Sequence, residues 1–451
     1  MNVNVCHDNG VSRFLFVIVP VVARLFPAVA IGDALAAQGH DVAWCGPESD
    51  LRPLVGPDMT IYPTGKRSYR AFREVGTAAV RELWEEYVLP LNRFISGPVD
   101  RAVAEYQPDV IVADQYALAG ALAAGRHGAA WATLCAGVLE LTPPEDPGLQ
   151  EWVGSKLAGV REAAGLPAAG HLDLLFSPSL VIATTALALT GPVPMPQQCV
   201  LVGAALGPRR ADPGFSWDWW DPGARHVLVT AGTLSDHLVR GFIARMMAAL
   251  EPMAGRVQVV LNAAADAVPD PPPHVLVAPR VPMLDLMPRL DAVVCQAGQS
   301  TVNEALLHGV PMVVAPIRLG ELAVAQQVVR AGAGLAVSFA DASPVQLGAQ
   351  AELDGGVLGR LERAVPVRVQ PDHLPAFPVG GQDIGMQPQT LAQYEERPRH
   401  ALVAQQASQF GGPGAGAVIK GQRHRPGQDF GCAAQRESHV VVHPRPPAVS
   451  W

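Results

Sequence analysis

The chain has 451 residues, of which 49% are apolar and 16% charged, and its net charge is −8 at pH 7. The length allows two or three domains of roughly 150 residues each, and the composition is typical of compact α/β domains rather than of a disordered chain. The negative charge argues against a surface that neutralises phosphate backbones, so we expect no nucleic-acid partner.

The six cysteines are widely spaced and form no C-x-x-C pair. This spacing indicates neither a zinc cage nor a redox motif, and it favours a reducing, cytoplasmic location. An apolar run begins at Phe14, but Pro20, Arg24, Pro27 and Asp33 interrupt it within the ~20 residues that a membrane-spanning helix needs. No small-residue cleavage site follows the run, so we predict neither a transmembrane segment nor a secretory signal.

The first half of the chain alternates between predicted strands and helices. A buried strand at 14–19 leads into a loop with Pro20 and Pro27, and a helix from about Ala28 to Gln38 ends on Gly39. Further strands are predicted at 40–46, 108–115, 129–137 and 180–189. This alternation predicts a doubly wound parallel sheet, an α/β domain over residues 12–206.

A composition shift at 207–225, with Pro, Gly and clustered Trp, predicts a linker. Its tryptophans (Trp217, Trp219 and Trp220) could stack on a ligand or hold the linker against a domain. The alternation then resumes, which predicts a second α/β domain over 226–347 with strands at 226–232, 257–263, 274–279, 291–298 and 311–316. Two such domains facing across a cleft are expected to bind a ligand between them.

Residues 348–451 lose this periodicity and are rich in Gln, Pro, Arg and Gly. Such a composition does not form a packed core. We interpret the segment as a low-order tail or as the out-of-frame translation of a GC-rich gene.

The most specific motif runs from Arg289 to Pro316. A buried strand ends at Cys295, a turn of Gln296, Ala297 and Gly298 follows, and Ser300 and Thr301 are expected to open a helix. Free backbone N–H groups at such a helix start favour a bound diphosphate. The alternative is structural, since Thr301-x-x-Glu304 has the spacing of a capping box.

The stretch CQAGQSTVNEALLHGVP resembles the motif of the family 1, GT-B fold glycosyltransferases, and the resemblance extends over about residues 12–347. The resemblance is particularly to bacterial enzymes that glycosylate macrolides, polyketides, carotenoids and other small lipophilic acceptors. The resemblance implies an inverting hexosyltransferase that moves a sugar from a UDP- or dTDP-sugar to a hydroxyl group, without a cofactor. It also implies a small-molecule acceptor from secondary metabolism, such as an antibiotic or a glycolipid, and a monomer or dimer.

By this resemblance Gly298, Ser300 and Thr301 would bind the diphosphate, and Glu304 would bind the ribose hydroxyls. Gln296 stands where the family has a diphosphate-binding His, and it can donate a hydrogen bond but brings no charge. The complete set implied for the nucleotide sugar is Gly232, Thr233, Arg280, Gln296, Ala297, Gly298, Gln299, Ser300, Thr301, Glu304, Gly320 and Glu321.

The N-terminal half matches the family motif P-x-x-G-H-x-x-P, in which the His is the general base that deprotonates the acceptor. The match puts Arg24 at the His position and Asp114 at the acid that orients it. Arginine remains protonated at neutral pH and cannot accept the proton. The catalytic pair therefore has an alternative, a structural Arg24–Asp114 ion pair. The alternative interpretation of the whole chain is a catalytically silent nucleotide-sugar-binding protein or the product of a decayed gene.

Two other expectations concern the cleft. No D-x-D pair of the kind used by metal-dependent transferases is found, so we predict no metal and expect a helix N-terminus to stabilise the leaving diphosphate. A dinucleotide-dependent oxidoreductase is disfavoured because no G-x-G-x-x-G follows either first strand. The apolar stripe at 71–99 predicts a helix that either lines the acceptor pocket or belongs to the core.

Overall fold

The computed structural model describes residues 11–67, 76–137, 141, 146–166, 174–207, 214–231, 237–317, 319–344 and 346–347. Two parallel sheets with helices on their faces lie within one compact unit, Met1–Gly380. The second unit, Gly381–Trp451, and the whole predicted tail from 348 onward lie outside the described residues.

The first domain contains a parallel sheet of seven strands in the order β3-β2-β1-β4-β5-β6-β7. Its elements are β1 (Arg13–Val17), α1 (Val22–Ala37), β2 (Asp41–Gly46), α2 (Glu48–Val55), β3 (Ile61–Pro63), α3 (Gly76–Glu82), a π-helical turn (Leu83–Val88), α4 (Leu89–Tyr106), β4 (Val110–Asp114), α5 (Leu118–His127), β5 (Ala130–Cys135), α6 (Pro147–Ala163), β6 (Val181–Ala183), α7 (Leu187–Thr190) and β7 (Cys199–Leu201).

The second domain contains a parallel sheet of six strands in the order β10-β9-β8-β11-β12-β13. After a 3-10 turn (Trp217–Trp219), its elements are β8 (Arg225–Thr230), α8 (His237–Leu250), a 3-10 turn (Glu251–Met253), β9 (Val257–Asn262), β10 (Val275–Val277), α9 (Met283–Leu286), a 3-10 turn (Met287–Arg289), β11 (Ala292–Cys295), α10 (Gln299–His308), β12 (Met312–Val314), α11 (Leu319–Arg330) and β13 (Gly334–Ala336).

Strand β1 shows why this sequence forms a central strand. Its side chains alternate between two buried faces: Leu15 and Val17 pack with α4 and α5, whereas Phe14 and Phe16 pack with α1. Apolar residues on both faces are what a parallel strand covered by helices requires. In each sheet the strand order reverses beside the first strand, and ligands of such folds bind at the carboxyl ends of the strands at this point.

The predicted start of α1 is wrong. The helix begins at Val22 rather than near Ala28, and Pro27 lies inside it. Proline has the φ angle of a helix, but at an interior position it removes one backbone N–H and its ring crowds the carbonyl group four residues earlier, that of Ala23. The predicted turn at Gly39 is confirmed, since its φ of 89° is in the left-handed region.

Two further expectations can be followed in the described residues. Tryptophans of the linker are held against the second domain: the Trp220 ring stacks on His226 with centroids 3.6 Å apart, and Trp219 Nε1 donates to Pro273 O. In the stripe at 71–99, Tyr87 and Leu91 are buried in the core, but Phe94 is 48% exposed. No helix in the described ranges combines the length and apolarity needed to cross a membrane.

Candidate functional site

Arg24 and Asp114 meet at the carboxyl edge of the first sheet. Arg24 lies in the first turn of α1, which follows β1, and Asp114 is the last residue of the neighbouring strand β4. Arg24 Nη1 lies 3.1 Å from both Asp114 Oδ1 and Oδ2. The structure therefore contains the ion pair that the sequence offered as an alternative to a catalytic pair.

The surroundings hold this ion pair in place. The guanidinium carbon of Arg24 lies 4.0 Å from the ring centroid of Tyr116, within the range of a cation–π contact. The backbone N–H of Tyr116 donates to Asp114 Oδ1 at 2.8 Å. Arg24 is 9% exposed and Asp114 1%. A buried, charge-assisted pair of this kind leaves Arg24 protonated, with no lone pair to accept a proton.

Asn92 supports the Asp114 loop and was missed by sequence reasoning. Its Nδ2 donates to Val88 O and Tyr116 O, and its Oδ1 accepts from Ala119 N, each at 2.8 Å. The side chain thus ties the start of α4 to the loop between β4 and α5. The available signal was an amide within the apolar stripe at 71–99, which a helix side chain buries only when its hydrogen bonds are satisfied.

In the second domain, the turn after β11 leads directly into α10. Ala297 has a φ of 66°, and Gly298 is the N-cap residue, with no side-chain hydrogen bond to the helix. The helix begins at Gln299, so the predicted start at Ser300 and Thr301 is too late by one residue. The capping-box alternative is wrong, because Thr301 is already the third helical residue. No side chain at the N-cap therefore accepts from the first-turn N–H groups of α10.

Side chains of α10 make contacts that the motif did not predict. Ser300 Oγ donates to Ala23 O at 3.0 Å, which places the start of α10 against α1 of the first domain. Gln299 Nε2 donates to Asn303 Oδ1 at 2.9 Å. The side-chain oxygens of Gln296 and Gln299 are buried without a hydrogen-bond partner among the described residues. This turn therefore carries two hydrogen-bond acceptors to which no described residue donates.

A cleft between the domains reaches α10. The cleft is partly open to solvent. Residues of α1, α2, the start of the linker and α9 contribute to its walls. Ser300, Asn303 and Glu304 line one side, and Phe26 and Leu54 line the other. Glu304 is 2% exposed. The structure therefore brings the predicted Ser300 and Glu304 together at the cleft, next to apolar side chains that no motif indicated.

Other predicted nucleotide-sugar residues are placed differently. Arg280 is exposed in the turn after β10 and is not among the residues lining the cleft. Glu321 Oε2 accepts a hydrogen bond from Ile317 N at 3.0 Å, so this carboxylate stabilises the start of α11, where Gly320 also lies. Gly232 and Thr233 lie outside the described residues.

Cys295 directly precedes the turn between β11 and α10. Burial raises the pKa of the Cys295 thiol, at the end of β11, to about 12. This thiol is neutral at pH 7 and is not a nucleophile. Within the described ranges, no group of three or more His, Cys, Asp or Glu side chains is arranged to hold a metal ion.

The chain is similar in sequence to known glycosyltransferases. Residues 244–371 match the family model described as erythromycin biosynthesis protein CIII-like, C-terminal domain. Elloramycin glycosyltransferase ElmGT of Streptomyces olivaceus is 31% identical over 360 residues, which are 73% of this chain and 87% of that protein.

Solved structures share the fold. The glycosyltransferase of kitacinnamycin superposes with a TM-score of 0.61 at 21% identity, over 79% of this chain and 95% of that one. The spinosyn rhamnosyltransferase SpnG, complexed with thymidine diphosphate, superposes with a TM-score of 0.60 at 21% identity, over 78% of this chain and 96% of that one.

Proposed function

Since this chain belongs to the family 1, GT-B fold glycosyltransferases of the antibiotic-biosynthesis type, we propose that it uses a UDP- or dTDP-sugar as donor. We further propose that the sugar passes to a hydroxyl group of a small lipophilic acceptor with inversion. The N-terminus of α10 carries the proposal, because it has no side-chain cap and lies at the cleft. Its partial charge of roughly +0.5 favours a diphosphate and stabilises it as the leaving group.

The polar groups around α10 suit the rest of the donor. The unpartnered oxygens of Gln296 and Gln299 can accept hydrogen bonds from sugar hydroxyls. The carboxylate of Glu304, buried beside the cleft, can accept hydrogen bonds from the ribose hydroxyls. The thymidine diphosphate in the SpnG complex supports the same class of nucleotide for this chain. Helix dipole and hydrogen bonds supply the stabilisation, so the proposal includes no metal.

The acceptor side limits the rate in this proposal. A hydroxyl oxygen attacks the anomeric carbon efficiently when a base removes its proton, and such catalysis contributes about 10²–10⁴-fold. Arg24 is protonated, and the oxygens of Asp114 already accept from Arg24 and Tyr116. We therefore propose that this chain binds the donor but transfers the sugar slowly.

A catalytically silent nucleotide-sugar-binding protein is the second candidate, and the product of a decayed gene would behave in the same way. The specific observation that favours it is again the Arg24–Asp114 ion pair, which replaces the base with a fixed cation. This candidate shares donor binding with the first one and differs in turnover. A cytoplasmic location fits both, since the four cysteines in the described part are unpaired.

The proposal is tested with purified protein, a panel of UDP- and dTDP-sugars and a panel of lipophilic acceptors that carry hydroxyl groups. Donor binding is measured by thermal shift, and transfer by release of the nucleoside diphosphate. A true donor at 100 times its Kd stabilises the folded chain by about 2.7 kcal/mol and raises the Tm. Glu304→Ala is expected to reduce this shift. Glu151→Ala, which removes an exposed carboxylate from α6, is the matched control and keeps it.

The outcomes separate the candidates. Binding with slow nucleotide release supports the slow enzyme, and binding without any release selects the silent protein. The absence of a shift with every donor, or a shift that Glu304→Ala leaves intact, contradicts the proposed site.

A further inference from the structure

A chain of hydrogen bonds crosses the cleft from α10 to the first domain. Gln299 Nε2 donates to Asn303 Oδ1 at 2.9 Å, and Asn303 Nδ2 donates to Thr184 O at 2.6 Å. Thr184 follows β6 of the first sheet, whereas Gln299 and Asn303 lie on α10 of the second domain. We name the Asn303–Thr184 hydrogen bond the cross-cleft bond.

The cross-cleft bond is buried at both ends. Asn303 is 8% exposed, Gln299 9% and Thr184 2%. The amide of Asn303 uses its oxygen within α10 and its nitrogen across the cleft, so separating the domains would leave the nitrogen without its partner. A buried polar group that loses its partner is costly. Opening of the cleft would therefore have to break this hydrogen bond.

A second contact of α10 follows from the sequence of α1. In a regular helix the N–H of residue 27 would donate to the carbonyl of Ala23, but Pro27 has no N–H. Ala23 O instead accepts Ser300 Oγ, at a more exposed place than the cross-cleft bond. Ser300 and Asn303 are one turn apart, so the same face of α10 contacts two carbonyl groups of the first domain.

We infer that Asn303 is a positioning residue that couples closure of the cleft to the orientation of Gln299. This inference rests on the proposed function, in which Gln299 belongs to the donor site. In the closed arrangement Thr184 O fixes the nitrogen of Asn303, and the oxygen of Asn303 then fixes the amide of Gln299. The buried oxygen of Gln299 has no hydrogen-bond partner among the described residues. Because such coupling is reciprocal, a bound nucleoside diphosphate stabilises the closed arrangement.

Asn303→Asp separates this role from simple support of α10. The carboxylate keeps an acceptor for Gln299 and nearly the same shape, but it cannot donate to Thr184 O and is repelled by that carbonyl. The matched control is Gln326→Ala, which removes an exposed side-chain amide from α11. Binding of dTDP and UDP is measured by calorimetry, and hydrogen–deuterium exchange is followed in peptides covering 180–190 and 299–308.

We expect Asn303→Asp to weaken binding of the nucleoside diphosphate about tenfold or more, equivalent to about 1.4 kcal/mol. Exchange should become faster in both peptides, including 180–190, which carries no substituted residue. In the unsubstituted protein dTDP or UDP should slow exchange in both peptides. Gln326→Ala should match the unsubstituted protein in affinity and exchange.

Unchanged affinity, with faster exchange confined to 299–308, would overturn the inference, since Asn303 would then support only its own helix. If Asn303→Asp does not fold, Asn303→Ser is used, and affinity equal to that of the unsubstituted protein again overturns it. If the unsubstituted protein binds neither nucleotide, the proposed function fails. Hydrogen–deuterium exchange in the peptide covering 180–190 then tests only whether the cross-cleft bond forms. Faster exchange in the variant supports the bond, and unchanged exchange refutes it.

Discussion

At the scale of single residues, Arg24 is the position on which the proposed slow transfer depends. Its guanidinium contacts the carboxylate of Asp114 and the ring of Tyr116, and Asn92 holds the backbone of Tyr116 from α4. Removing one partner of a buried ion pair lowers the free energy of unfolding of the protein by about 3–5 kcal/mol. In the proposed mechanism this pair takes the place of the general base and its orienting acid, and it keeps the oxygens of Asp114 occupied.

His226 provides a residue-scale prediction about pH. Desolvation lowers its pKa in the folded protein, and the hydrogen bond with Gln258 and the charge of Asp291 offset part of that effect. The unfolded chain, with a pKa of about 6.5, then binds the proton more readily. Stability should consequently fall as the pH drops from about 6.5 through the folded pKa. His226→Phe keeps an aromatic ring against Trp220, and its Tm should change less between pH 7 and pH 5.

His274→Gln, in the loop before β10, is the control for this measurement because it removes a histidine that does not stack on Trp220. Its Tm should follow the unsubstituted protein across the same pH range. If His226→Phe and the unsubstituted protein lose Tm in parallel, His226 is not responsible for the acid sensitivity.

At the scale of elements, the position of α1 depends on a close approach to β2. A Cβ atom on Gly32 would lie 2.6 Å from Cζ2 of Trp44, whose ring is 1% exposed and stacks on Phe16. Because the ring has no room to move, Gly32→Ala should displace α1 and destabilise the fold by about 1–3 kcal/mol. Chemical unfolding measures the change.

Gly154 in α6 offers the opposite case. It is exposed and lies in a helix interior, and a Cβ atom at this position would contact no side chain and no other element within 4 Å. Gly154→Ala should therefore stabilise the fold by about 0.5–1 kcal/mol, the helix preference of alanine over glycine. Equal effects of the two substitutions would show that contact with Trp44 does not set the position of α1.

At the scale of the whole molecule, the architecture was predictable and some edges were not. Buried β-branched runs separated by helices indicated two parallel sheets, and β1, β4, β8 and β11 lie where the sequence placed them. The three-residue strands β3, β7 and β13 lie at sheet edges and are too short to show a period. The start of α1 was misplaced because Pro27 was interpreted as a loop residue.

The site was predictable only where it is local in sequence. The turn from Gln296 to Gly298 and the buried Glu304 follow a motif that can be recognised from adjacent residues. The bonds from Ser300 to Ala23 and from Asn303 to Thr184 join residues 277 and 119 positions apart. No periodicity or spacing reports on such pairs, because they depend on how the two domains close on each other.

The central claim is that the chain binds a sugar donor at α10 and lacks a base at position 24. Steady-state transfer by Arg24→His tests it most directly, with the donor selected by thermal shift and a panel of lipophilic aglycones that carry hydroxyl groups. Arg24→Gln, which removes the charge without adding a base, is the control, and donor affinity shows that both variants are folded. We expect Arg24→His to raise kcat about 10²-fold or more, with a rate that increases through pH about 6.5, whereas Arg24→Gln should not. An Arg24→His variant that binds the donor as before but gains no turnover on any acceptor would contradict it.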